Sequence, residues 1–188
     1  MAGIIQRCCM WTFPPAKRIS RVKSYGERRA IGYSAEQMFD VVFTVAEYPK
    51  FVPWCTEAKV KKLGDSVLDC EMYIGFSPLQ EHYTSRVTAI PPYVLRSICT
   101  DGRLFHVLDT TWRFGPPPAE FAALNACTLL FSLEFEFKSV LHARLSGIFF
   151  SQVVRRMVAA FLHRAQYLYG SPSLDHFSRL PEILSYNS

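Results

Sequence analysis

The sequence predicts an α+β domain in which a curved antiparallel sheet holds one long C-terminal helix. Three observations predict it. From Ser139 to Tyr169 the chain is free of proline and is followed by Gly170, a residue suited to end a helix in the left-handed conformation. From Thr56 to Phe137 apolar and polar residues alternate in runs separated by turn signals, the mark of a sheet with one buried face. The helix carries a broad apolar face that needs a large hydrophobic partner, and the strands supply one. What the space between helix and sheet holds is the functional question.

The length of 188 residues fits one domain. Hydrophobic residues make up 49% and aromatic residues 14% of the chain, enough to fill a core and to line an apolar cavity as well. No apolar run is long enough to cross a bilayer. The six cysteines, Cys8, Cys9, Cys55, Cys70, Cys99 and Cys127, show no C-x-x-C pair or disulfide-like spacing, so reduced and mostly buried thiols are expected. The net charge of +5 is carried by Arg7, Lys17, Arg18, Arg21 and Lys23, all within residues 1–24. The remainder is neutral, and no nucleic-acid partner is expected.

Residues 1–24 are basic, acid-free and apolar in patches, the composition of a mitochondrial targeting leader. A disordered basic arm has the same composition, and Pro14-Pro15 interrupts a continuous amphipathic helix. A folded domain is expected over 25–170 and a turn-rich, flexible tail over 171–188. Glu27 to Tyr33 reads as a first strand. Ser34 with Gln37 three residues on is a capping-box pattern, opening a helix through Met38, Phe39, Val41, Val42 and Val45. The stretch Tyr48 to Cys55 (YPKFVPWC) carries four large apolar or aromatic side chains in a short turn-rich segment whose two prolines forbid a long helix, which suggests a lid or plug.

Six strands follow. Gly64-Asp65 and Asp101-Gly102 are turn signals. Leu68, Cys70, Met72, Ile74 and Phe76 share one face of their strand. Tyr83, Ser85, Val87 and Ala89 share a face of the next. Leu104, His106, Leu108, Thr110, Trp112 and Phe114 share another, and so do Leu129, Phe131, Leu133, Phe135 and Phe137. In the long helix Val153, Val154, Met157, Ala160, Phe161, Ala165 and Leu168 keep helical time, with Gln152, Arg155, Arg156, His163 and Gln166 opposite. Its first half is out of phase: Leu141, Leu145, Ile148 and Phe149 form a stripe on a different side. Two readings fit, a short separate turn on the sheet edge or an apolar lip that touches a membrane.

The segments YSAEQMFDVVFTVAEYPKF (33–51), DGRLFHVLDTTWRF (101–114) and FEFKSVLHARLSGIFFSQVVRRMVAAF (135–161), with YPKFVPWC, resemble the coenzyme Q-binding proteins of mitochondria, within the START-like polyketide cyclase superfamily. The resemblance covers about Lys23 to Tyr169. It implies a helix-grip fold, a lipid-binding domain over 25–170 and a mitochondrial address. The loop 115–126, the short proline-containing leader and the tail after Gly170 depart from the family pattern.

Enzyme chemistry finds little support. No H-E-x-x-H, G-x-S-x-G or phosphate loop is present. His82 and His106 lie on strands; His106 either points into the cavity or is an ordinary hydrogen-bonded or exposed histidine. Cys55, Cys70 and His106 form a metal set only if the fold brings them together. Glu134 and Glu136 read as solvated rather than as an acid–base pair. No catalytic residue and no metal are expected.

The quinone that the resemblance implies needs an apolar tunnel for its polyprenyl tail, each methylene withdrawn from water being worth about 0.8 kcal/mol. It also needs one or two donors for its carbonyls. Phe39, Phe51, Trp54, Met72, Ile74, Phe76, Phe131, Leu133, Phe135, Met157 and Phe161 are the candidate lining, and Tyr83, Ser85, Thr110 and Trp112 the candidate donors. Each alone fits ordinary core; the aromatic surplus and the resemblance together favour a cavity. Leu141, Leu145, Ile148 and Phe149, with Arg155 and Arg156, form the candidate membrane-docking stretch. The expectation is a non-enzymatic chaperone and carrier of coenzyme Q (ubiquinone). It would sit peripherally on the matrix side of the mitochondrial inner membrane and support respiratory electron transport and coenzyme Q biosynthesis, with the respiratory chain or the biosynthetic complex as partners. The rivals are a polyketide cyclase-like enzyme acting on a hydrophobic aromatic substrate, and an interaction module like the bacterial toxin relatives said to act on ribosomes, which would want a basic surface.

Overall fold

A computed structural model describes residues 22–76, 79–102, 105–138 and 140–187, with side chains for all of these except 76, 79 and 140–153. The elements are β1 (Lys23–Ile31), α1 (Ala35–Phe43), a 3-10 turn (Val45–Lys50), β2 (Cys55–Gly64), β3 (Val67–Phe76), β4 (Leu79–Ile90), β5 (Val94–Gly102), β6 (Phe105–Gly115), a short 3-10 turn (Ala119–Phe121), β7 (Cys127–Phe137), α2 (Val140–Tyr169) and β8 (Glu182–Asn187). The strands form one antiparallel sheet in the order β2-β3-β4-β5-β6-β7-β1-β8. The sheet curves around the C-terminal helix, the architecture expected.

Local chemistry sets several boundaries. The Ser34 hydroxyl accepts from the Gln37 amide at 3.2 Å and the Ser34 amide donates to Gln37 Oε1 at 2.9 Å, so the capping box starts α1. Pro49 then limits the chain to a 3-10 turn. The Tyr48 hydroxyl donates to the Val42 carbonyl at 2.6 Å, tying that turn back to α1. Gly170 stands at φ 81° and its amide donates to the Gln166 carbonyl at 3.0 Å, closing α2 as its position foretold.

Five expectations are corrected. β1 begins ahead of Glu27: Lys23 and Ser24, placed in the leader, pair with Phe135 and Glu134. Residues 1–21 of that leader lie outside the described residues. Asp101 and Gly102 are not a turn but the end of β5, opposite Thr84 and Tyr83. The tail is not loose. Leu174 and His176 are buried, the Ser173 amide donates to the Gly32 carbonyl at 2.9 Å, and β8 pairs with β1. In α2 the backbone runs as one helix through the phase change, so no separate turn forms. Its buried face is Val154, Val158, Phe161, Leu162 and Ala165, whereas Leu168 is exposed. The side chains of Leu141, Leu145, Ile148 and Phe149 lie outside the described residues. Finally, a bulge between Phe105 and Val107 reverses the alternation of β6. Phe105 takes the inner face, with its ring 5.4 Å from Tyr83 and 5.0 Å from Phe137. His106 is exposed.

Candidate functional site

The concave face divides into two ends. At one end the side chains are closed on each other. Trp112 lies 4.5 Å from Phe131 and 4.7 Å from Phe161, centroid to centroid, and Phe161 meets Tyr48 and Phe51 edge-on at 5.2 Å. Phe39 is buried in the same core and stacks on Phe43. Trp112, Phe131, Phe161 and Phe39 are thus buried, packed core.

At the other end the same face is half-buried. Ile74, Tyr83, Phe105, Leu108, Thr110 and Phe137 all keep part of their surface accessible although they point inward. Met72, Leu133 and Phe135 form its floor, buried but not sealed. Met157 is half-buried on α2. The Phe76 side chain lies outside the described residues. The difference follows from side-chain size. Between the aromatic layer and this end runs a row of small residues set by register: Cys70 opposite Ser85, Ser85 opposite Cys99, Ser97 opposite Thr110. Small side chains leave volume that large ones further along fill.

One hydroxyl of that row stands out. Ser85 is buried, and its hydroxyl has no hydrogen-bond partner among the described residues. An unmatched buried hydroxyl costs folding free energy, about 1–3 kcal/mol when left so. Tyr83, two residues along β4, carries a phenol that burial pushes above its ordinary pKa. Burial likewise pushes the Cys55 and Cys70 thiols up to about 11. Both stay protonated at neutral pH and are poor nucleophiles and metal ligands. With His106 on the outside, the Cys55, Cys70 and His106 metal set does not assemble.

One group of inward charges escaped sequence reading. Tyr25, Glu27 and Arg29 lie on the inner face of β1. Glu27 is buried, accepts from the Tyr25 hydroxyl at 2.5 Å and pairs with Arg29 Nε at 2.9 Å. The desolvated phenol, bonded to this carboxylate, has its pKa raised. The signal was present, since Tyr25, Glu27, Arg29 and Ile31 share one strand face, but a Glu-Arg-Arg run reads as solvated.

Phe51, expected like Trp54 to line the tunnel, packs edge-on against Phe161 at the margin of the core, and it and Trp54 also face outward. With Arg156 and the adjoining face of α2 they border a separate groove on the outer side of the helix, about 860 Å³ in volume. Arg155 is exposed, on the flank of α2 nearer Tyr25.

Comparison with known proteins places this geometry. Residues 31–162 match the family described as polyketide cyclase / dehydrase and lipid transport. The chain is 43% identical over 146 residues to the coenzyme Q-binding protein COQ10 homolog B, mitochondrial, of Xenopus laevis, covering 78% of this chain and 59% of that protein. It is 39% identical to the corresponding Drosophila melanogaster protein, covering 80% of this chain and 61% of that one. The chain therefore spans about three-fifths of the length of these relatives. The ribosome association toxin RatA of Pseudomonas aeruginosa is 30% identical, with 73% of this chain and 92% of the toxin covered. Among solved structures, an 18 kDa protein of Caulobacter crescentus superposes with a TM-score of 0.61 at 29% identity, over 79% of this chain and 99% of that one. The Zhui aromatase/cyclase from Streptomyces sp. R1128 shares the fold, with a TM-score of 0.65 at 11% identity over 77% of this chain and 94% of its own.

Proposed function

The chain belongs to the polyketide cyclase / dehydrase and lipid transport family, and from that premise we propose that it binds coenzyme Q at the half-buried end of its concave face and acts as a carrier rather than as an enzyme. The observation that carries this reading is the buried Ser85 hydroxyl, which has no hydrogen-bond partner among the described residues. A quinone ring presents neutral carbonyl and ether oxygens, which accept from hydroxyls and need no charge. Ser85, Tyr83 and Thr110 supply such donors, and Met72, Ile74, Leu133 and Phe135 supply apolar surface for the start of the tail. The names of the 43% and 39% identical relatives support the same ligand. In this reading the protein works in mitochondria, the residues ahead of Lys23 serve as its address, and it collects its cargo peripherally from the matrix side of the inner membrane for respiration and coenzyme Q synthesis. The inner surface favours binding over turnover. His82 and His106 are exposed, away from the recess. The buried Glu27 is held by Tyr25 and Arg29, and the Cys55 and Cys70 thiols are protonated.

The test is mass spectrometry of lipids extracted from the purified protein, wild type against Ser85→Ala. Wild type is expected to carry quinone. The variant should hold it about fivefold more weakly, the worth of one hydrogen bond, while its thermal stability is unchanged or higher because a buried unsatisfied group is gone. A wild-type protein free of quinone refutes the reading. A variant that loads quinone like wild type moves the head group away from Ser85.

A further inference from the structure

The groove on the outer side of α2 differs from the inner face of the sheet in charge. Lys50, Phe51, Trp54, Arg156, Ala160 and Arg164 border it. Its walls are aromatic, its floor is the helix itself where alanine side chains leave the backbone close to the surface, and its rim is cationic. Glu47 is bonded to both Lys50, at 2.6 Å, and Arg164, at 3.1 Å. Arg156 is exposed and forms no ion pair among the described residues. Three cations therefore face one carboxylate, on a domain whose residues from 25 onward are neutral overall. The Arg164 guanidinium lies 5.5 Å from the Phe51 ring and 5.0 Å from the Tyr167 ring, and Tyr167 is 77% exposed.

Trp54 supplies a second, independent observation. It is the non-glycine residue with positive φ among those described, at 66°. A bulky side chain in the left-handed region costs on the order of 1–3 kcal/mol and persists only where the surroundings hold it. Here the Trp54 carbonyl accepts from the Gly75 amide at 2.9 Å. The strain sets a half-buried indole on the groove wall beside the cations. A half-exposed tryptophan and an exposed tyrosine flanked by lysine and arginine are the chemistry of a membrane interface, where rings sit at head-group depth and cations meet phosphates.

We propose that this groove is a docking surface for anionic phospholipid bilayers, with Trp54 and Tyr167 at the interface, Lys50 and Arg156 at lipid phosphates, and Arg164 held beneath them by Glu47. The surface lies on the face of α2 turned away from the recess, so the protein rests on the membrane without covering the quinone site. The role it would serve rests on the carrier reading; the docking itself is read from the groove alone.

The test is co-sedimentation of the full chain with phosphatidylcholine vesicles and with phosphatidylcholine–cardiolipin vesicles, at low and high salt. Two variants are compared with wild type. Trp54→Gly removes the indole and suits the positive φ, so it should fold at least as well. Arg156→Glu reverses one exposed charge. Wild type should bind the cardiolipin vesicles and not the neutral ones, and added salt should weaken it. Arg156→Glu should bind about tenfold or more weakly, given about 1 kcal/mol per charge near such a surface, and Trp54→Gly should also bind more weakly, neither with a melting temperature below that of wild type. Equal binding to the two vesicles overturns the proposal. So does unchanged binding in both variants, or saturation of the same residues by inorganic phosphate without vesicle binding. Quinone content measured on the same samples separates the two claims. Protein without quinone that still docks through these residues refutes the carrier reading alone, and quinone-loaded protein that does not dock refutes the groove alone.

Discussion

His176 fastens the C-terminal segment to the domain, and its protonation should release it. The ring is 1% exposed. Its Nδ1 accepts from the Gly32 amide at 3.2 Å, so that nitrogen carries no proton. Its centroid lies 5.6 Å from Tyr33 and 4.5 Å from Phe177, and its Nε2 has no partner among the described residues. Burial first, then the Arg29 charge, lower its pKa from 6.5 to about 4, with His163 acting in the same direction and Asp175 against it. The folded state therefore binds fewer protons at this site than the unfolded chain. The stabilisation is complete above about pH 6.5, declines as the pH falls, and is gone near pH 4. The separation of the two values corresponds to about 3 kcal/mol at most, because each unit is worth about 1.4 kcal/mol. The assay is denaturant unfolding at a series of pH values between about 7.5 and 5, a window in which most carboxylates stay ionised. His176→Asn is the control: its side-chain oxygen can accept from the Gly32 amide but takes no proton. Wild type should lose stability relative to the variant as the pH falls. Parallel curves for the two proteins would refute the reasoning.

Two further outcomes follow from buried features. Arg29→Met leaves the Glu27 carboxylate buried without its cation, and should cost about 3–5 kcal/mol in denaturant unfolding, most of it recovered in a Glu27→Gln, Arg29→Met double variant. Gly32→Ala would set a methyl 2.6 Å from the Leu174 amide nitrogen and 2.8 Å from its carbonyl oxygen. Main chain must move to admit it, so stability should fall by about 1–3 kcal/mol and limited proteolysis should cut within 171–187 faster than in wild type.

The fold was legible wherever one face of an element is buried and the other is wet. β7 alternates without exception from Cys127 to Phe135, buried at every odd position, and its sequence says so. The capping box and Gly170 are equally local, each fixing one helix end by the chemistry of a few neighbouring residues. β8 was not legible for the opposite reason. It is an edge strand whose six residues are all exposed, so its sequence carries no alternation, and its partner β1 lies at the other end of the chain. The bulge in β6 defeats reading in a third way. Counting by two from Trp112 puts His106 inside, and only the pairing with β7 reveals that one residue is out of step.

The candidate site was half legible, because hydrophobicity selects residues that face inward without saying whether they touch. Trp112, Phe131 and Phe135 look alike in sequence. Once the strands are paired, Trp112 and Phe131 fall in the layer that α2 fills with Phe161, whereas Phe135 lies beyond it. What separates the layers is the row of Cys70, Ser85, Cys99, Ser97 and Thr110, small residues drawn from four strands that become neighbours only through register. Small inward side chains fill less of the space over the sheet than the aromatic ones beside them do. A hydroxyl left unmatched among them is a cost that folding alone gives no reason to keep. A ligand with neutral oxygen acceptors removes that cost on binding. The same row that lowers packing in the free protein therefore favours the bound one, and the binding reading rests on this more firmly than on the aromatic surplus that first suggested it.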